Sequence, residues 1–111
     1  MPARPQHTRL VIGIGNPLRG DDGVGALLAE QAGGRSVHQL TPELAAELAE
    51  LEAVLFIDAW LAPAGGPPQL VELIPAGAGA PDTHRLEPAE LLAISQALYG
   101  RAPAACLLQV P

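Results

Sequence analysis

At 111 residues and 49% hydrophobic content, with no long block of charge, the chain has the size of one domain spanning residues 1–111 that buries roughly two-thirds of its unfolded surface, which excludes a disordered protein. Its net charge of −6, with six arginines and no lysine, provides no electrostatic footprint for nucleic acid or an anionic membrane and leaves proteins, metals and neutral molecules as partners. The single cysteine, Cys106, excludes an internal disulfide and a zinc ribbon. No apolar run approaches the roughly 18 residues of a membrane span, and Met1 to Arg9 is polar and proline-broken with no signal-peptide core, so a soluble cytoplasmic protein is expected.

The first predicted strand is the apolar run from about Arg9 to Ile14. A glycine turn follows, then a helix from Gly23 to about Gln31 that ends at Gly33 and Gly34, where a left-handed cap is expected. Ser36 to Leu40 reads as a short second strand. Thr41 to Leu51 reads as an amphipathic helix, with Thr41 as cap, Pro42 at the first helical position, and Leu44, Leu48 and Leu51 on one face. Ala53 to Ile57 is a continuous apolar strand buried on both faces that ends at Asp58. The broken, proline-rich stretch before the next strand, Gln69 to Ile74, is too short for a crossover helix, so this fourth strand is predicted to run antiparallel. A loop from Pro75 to Asp82 precedes Thr83-His84-Arg85, a helix from Pro88 to Tyr99, a turn over Gly100 to Pro103, and a last strand from Ala105 to Val110. This order predicts an α/β protein, a mostly parallel but mixed sheet in three layers.

The stretch from Val11 to Gly25 has the layout of a phosphate loop with the wrong charge. Gly15 and Gly20 stand at Walker A spacing, but Asp21 and Asp22 occupy the positions of the Lys and the Ser or Thr. The dinucleotide fingerprint fails as well, at Leu18. Two carboxylates repel phosphate, so the loop suits a cation and no nucleotide is expected. The plainer alternatives are that Asp21 or Asp22 caps the following helix and that the glycines serve a tight turn and close packing.

Ligands in such sheets gather outside the carboxyl ends of the strands. Asp22 follows the first strand and Asp58 ends the third, so both emerge on one edge, and His84, ahead of the last helix, is positioned to return there. Asp58 could instead anchor the Trp60 loop, and His84 could cap a helix or lie at the surface. His7 and His38 have weaker cases, and Cys106 reads as a buried structural thiol. Two carboxylates and an imidazole suit a borderline divalent ion, with nickel, zinc and iron all qualifying. No HExxH, GxSxG or cysteine-histidine pair is present to support a standard zinc peptidase or a nucleophilic hydrolase.

With these residues in place, the chain resembles the hydrogenase maturation endopeptidases, which trim the C-terminal extension from the large subunit of nickel-iron hydrogenases. The resemblance rests on the block from Gly13 to Gly25, on Phe56-Ile57-Asp58-Ala59, and on Asp82 to Leu86 leading into a helix, and it spans nearly all of residues 9 to 111. It implies a three-layer, phosphorylase/hydrolase-like α/β/α fold with a mixed five-stranded sheet. It also implies that Asp22, Asp58 and His84 bind nickel and form the catalytic site. The nickel comes with the precursor, so no permanent metal of the enzyme's own is expected. Many members carry Glu where Asp22 stands, and they continue past the last strand into a further loop and helix. The expectation here is that this C-terminal helix is missing, exposing apolar surface and favouring a homo-oligomer or poor solubility. The competing reading is a noncatalytic or truncated metal-dependent binding relative.

Overall fold

In the computed structural model, which describes residues 8–15, 23–59, 66–77 and 86–110, strand and helix alternate through the first half of the chain. β1 (Arg9–Ile14), α1 (Val24–Gln31), β2 (Arg35–Val37), α2 (Leu44–Leu48) and β3 (Ala53–Ala59) are followed by β4 (Gln69–Leu73), α3 (Pro88–Tyr99) and β5 (Ala104–Val110). All five strands join one sheet in the order β2-β1-β3-β5-β4. Every neighbouring pair is parallel except β4 with β5, as predicted for the fourth strand.

Each face of the sheet has its own packing. Ile12, Ile14, Val54, Phe56 and Ala105 point to one side and form the core with Leu48 of α2 and Leu91 and Leu92 of α3. Phe56, Leu48, Leu91 and Leu92 are wholly buried, and at ~1.5–3 kcal/mol per side chain they supply much of the driving force. Ser95, also wholly buried, shares its hydroxyl proton between the carbonyls of Ala45 (3.0 Å) and Arg101 (2.9 Å), tying α2 to the turn after α3. α1 lies on the opposite face. A Cβ on Gly13 would overlap the Gly25 carbonyl, and a Cβ on Gly25 would come within 2.6 Å of the Ile57 carbonyl oxygen, so helix and strands meet backbone to backbone.

The departures from prediction have local causes. β2 ends at Val37 rather than Leu40 because it is an edge strand paired only with β1. Its register stops at Ile14↔Val37, and the Gly15 N–H closes the pairing on the Val37 carbonyl at 2.8 Å. Leu40 is apolar because it enters the core. The helix predicted over Thr41 to Leu51 shrinks to five residues. Tighter three-residue turns flank it, with the Leu44 N–H donating to the Thr41 carbonyl and the Leu51 N–H to the Leu48 carbonyl. Thr41 thus joins the turn through its backbone, while Leu44, Leu48 and Leu51 still face the core. β3 runs on to Ala59 because β5 pairs with it as far as Ala59↔Val110, which places Asp58 inside the strand.

α1 covers β1, β2 and the Ile57 end of β3 but leaves the same face of the rest of β3, and of β5 and β4, open among the described residues. A groove of about 470 Å³ lies there, floored by Leu55, Leu70 and Cys106 and bounded by Arg9 and Glu72. β3 is therefore not buried on both faces, since Leu55 is half-buried, and Leu70 is 65% exposed. Cys106 sits in a strand as predicted, yet it is half-buried on this open face instead of enclosed in the core.

Candidate functional site

Asp58 is the one predicted site residue within the described part of the chain. Sheet pairing on both sides holds it, in register with Ile14 of β1 and Gln109 of β5. Alternation along β3 puts it on the same face as Phe56, at the carboxyl edge, where it is half-buried. A strand whose core-facing side chains are buried as far as Phe56 thus delivers a carboxylate to an edge that water reaches.

The elements flanking the other two candidates converge on this edge. The second residue of α1, Gly25, stands against the carbonyls of Ile57, two residues before the end of β3, and of Ile14, the last residue of β1. The N-cap position of α1 is Gly23, which has no side chain to cap with, so an aspartate does not occupy the capping position itself. α3 finishes at Gly100, and β5 starts four residues later at the amino edge, where the Ala104 N–H donates to the Glu52 carbonyl at 3.0 Å. The helix therefore descends from the carboxyl side. Its N-terminus is fixed by Pro88 at the first turn and by the Glu87 N–H donating to the Glu90 carboxylate at 2.9 Å.

Asp22 and His84 lie outside the described residues, as do Asp21, His7 and Trp60. Among the described residues no three His, Cys, Asp or Glu side chains gather as a metal-binding group. His38 is exposed in the bend after β2, with β1 between it and the strand carrying Asp58. One residue that sequence reading passed over is Gln109, beside Asp58 in the pairing. Its signal was a lone polar side chain in an otherwise apolar strand. Away from this edge, Arg35 and Glu47 form a bidentate pair, both contacts 2.6 Å, that staples β2 to α2. The guanidinium holds the Glu47 carboxyl below its ordinary range, chiefly through these hydrogen bonds.

This arrangement has solved counterparts. The NiFe hydrogenase maturation protease HycI from Thermococcus kodakarensis KOD1 matches 92% of this chain over 72% of its own, with a TM-score of 0.62 and 23% sequence identity. The hydrogenase maturating endopeptidase HybD from E. coli matches the same shares of the two chains, with a TM-score of 0.64 and 18% identity. The fold is that of the hydrogenase maturation proteases. No family model matches the chain, and no curated protein matches it in sequence. The hydrogenase-maturation-protease fold is therefore carried by backbone architecture. The mixed sheet with its antiparallel edge strand, and the helices on both faces, agree with the fold that the sequence motifs implied.

Proposed function

We propose that the chain is an endopeptidase that removes the C-terminal extension of a nickel-iron hydrogenase large-subunit precursor after nickel insertion, acting in the cytoplasm on that one protein partner. The observation that carries this reading is the position of Asp58: a water-accessible carboxylate at the carboxyl end of a central strand, in a fold shared over 92% of the chain with two hydrogenase maturation proteases. In this reading Asp22, Asp58 and His84 together grip the nickel that the precursor already carries. Two carboxylates and a neutral imidazole suit a borderline divalent ion and leave it open positions for the substrate. Nickel so held supplies Lewis acidity toward the scissile carbonyl or its attacking water. The chain's own contribution is placement. Backbone pairing on both sides fixes Asp58, and the glycine contact between α1 and β3 holds the start of α1 against the same edge.

The test is incubation with nickel-loaded and nickel-free precursor, reading precursor mass before and after. Loss of a C-terminal peptide from the loaded form alone is the expected result. Unchanged mass in both, with the precursor still bound, would leave a binding protein rather than a protease.

A further inference from the structure

On the core-facing side of the sheet the rows of side chains are apolar until the last one. Ile12, Phe56, Leu107 and Val71 make one row across β1, β3, β5 and β4, and Leu10, Val54, Ala105 and Leu73 make another. The row at the carboxyl edge reads Ile14, Asp58, Gln109, Gln69. The sheet thus places one amide, the half-buried Gln109, directly beside the candidate carboxylate and a second, the exposed Gln69 of the edge strand, one strand further along the same row.

We infer that Gln109 and Gln69 form a track that binds the backbone of the substrate polypeptide and positions its scissile bond beside Asp58. This deepens the endopeptidase reading and rests on it. A glutamine side chain offers both a donor and an acceptor, the same pair that each peptide unit presents, so it recognises main chain without selecting side chains. Spacing fits as well. Neighbouring strands lie about 4.8 Å apart, so Gln69 stands on the order of 10 Å from Asp58, and an extended peptide rising about 3.3 Å per residue along the row meets Gln109 one to two residues and Gln69 about three residues from the bond at Asp58. A neutral amide also leaves the charge of the site to the carboxylates. Both glutamines are positioning residues, not catalytic ones.

The experiment compares wild type with Gln109→Leu and Gln69→Leu, measuring kcat and KM for cleavage of nickel-loaded precursor, Kd for the same precursor, and Tm. Gln109→Leu is expected to raise KM and Kd about tenfold, as loss of roughly one hydrogen bond does, with kcat within about twofold and Tm unchanged. Gln69→Leu has a smaller effect of the same kind. Gln109→Met, which keeps the length of the side chain and removes its donor and acceptor without adding charge, is expected to match the leucine variant and covers the case in which that variant fails to fold. Unchanged KM and Kd in a folded Gln109 variant would overturn the track. Wild type that binds the precursor without cutting it would overturn the endopeptidase reading, and Kd would then decide the track alone. Wild type that does not bind it would overturn both.

Discussion

Substitution of Asp58 separates a functional role for its carboxylate from a structural one. The residue is half-buried in a paired strand, and Asn has nearly the same shape. Asp58→Asn is therefore expected to lower precursor processing by at least about a hundredfold while thermal unfolding moves by no more than a few degrees. Full activity in that variant would remove Asp58 from the site, and the same assay applies to Asp22→Asn and His84→Ala. Gly25 makes the opposite demand, because its role is contact. With only 2.6 Å between an added Cβ and the Ile57 carbonyl oxygen, Gly25→Ala must push α1 off the sheet, at a cost of about 3 kcal/mol in denaturant unfolding. A stable Gly25→Ala variant would mean that α1 is free to shift at this edge.

Among the elements, α2 is the one held most by its neighbours. Five residues of helix have little stability of their own, and α2 persists because Leu48 is buried, Ser95 reaches the Ala45 carbonyl, and Arg35 reaches Glu47. Ser95→Ala leaves two carbonyls without that proton and should cost about 1–2 kcal/mol, read by guanidinium unfolding. The Arg35–Glu47 pair contributes less, about 0.5 kcal/mol, because both side chains are well exposed and water screens them. Its pH dependence has a definite sign. The folded carboxyl titrates below the unfolded one, so the contribution is complete above the unfolded pKa of about 4.3 and is lost as pH falls through the folded value. Stability curves of wild type and Glu47→Gln should accordingly converge in acid, and a constant gap down to pH 2 would exclude the pair as their cause.

Across the fold as assembled, the sheet has one face filled by α2 and α3 and one face only partly covered by α1, with a groove of about 470 Å³ over β3, β5 and β4. Cys106 on its floor should react with a small maleimide in the folded protein, more slowly than in the unfolded chain, and complete protection would show the groove closed in solution. Which parts of this architecture were legible in advance follows from the range of the forces involved. Alternation, apolar runs and turn residues act locally, so Arg9–Ile14, Val24–Gln31 and Pro88–Tyr99 were readable to within a residue, and the short connection before Gln69 was enough to reverse β4. That the apolar run of β3 gives way to a water-accessible residue at Asp58 was readable from a carboxylate directly after five apolar residues, although the strand itself runs on to Ala59. Pairing decided the rest. β2 stops where β1 leaves it, α2 shortens to what its contacts hold, and Cys106 and Leu55 meet the open face because no described element packs over them. Gln109 gained its meaning the same way: in the chain it lies far from Asp58, and parallel pairing of β5 with β3 makes them neighbours. Such contacts depend on which strands share an edge, a property of the folded sheet that local residue preferences do not encode.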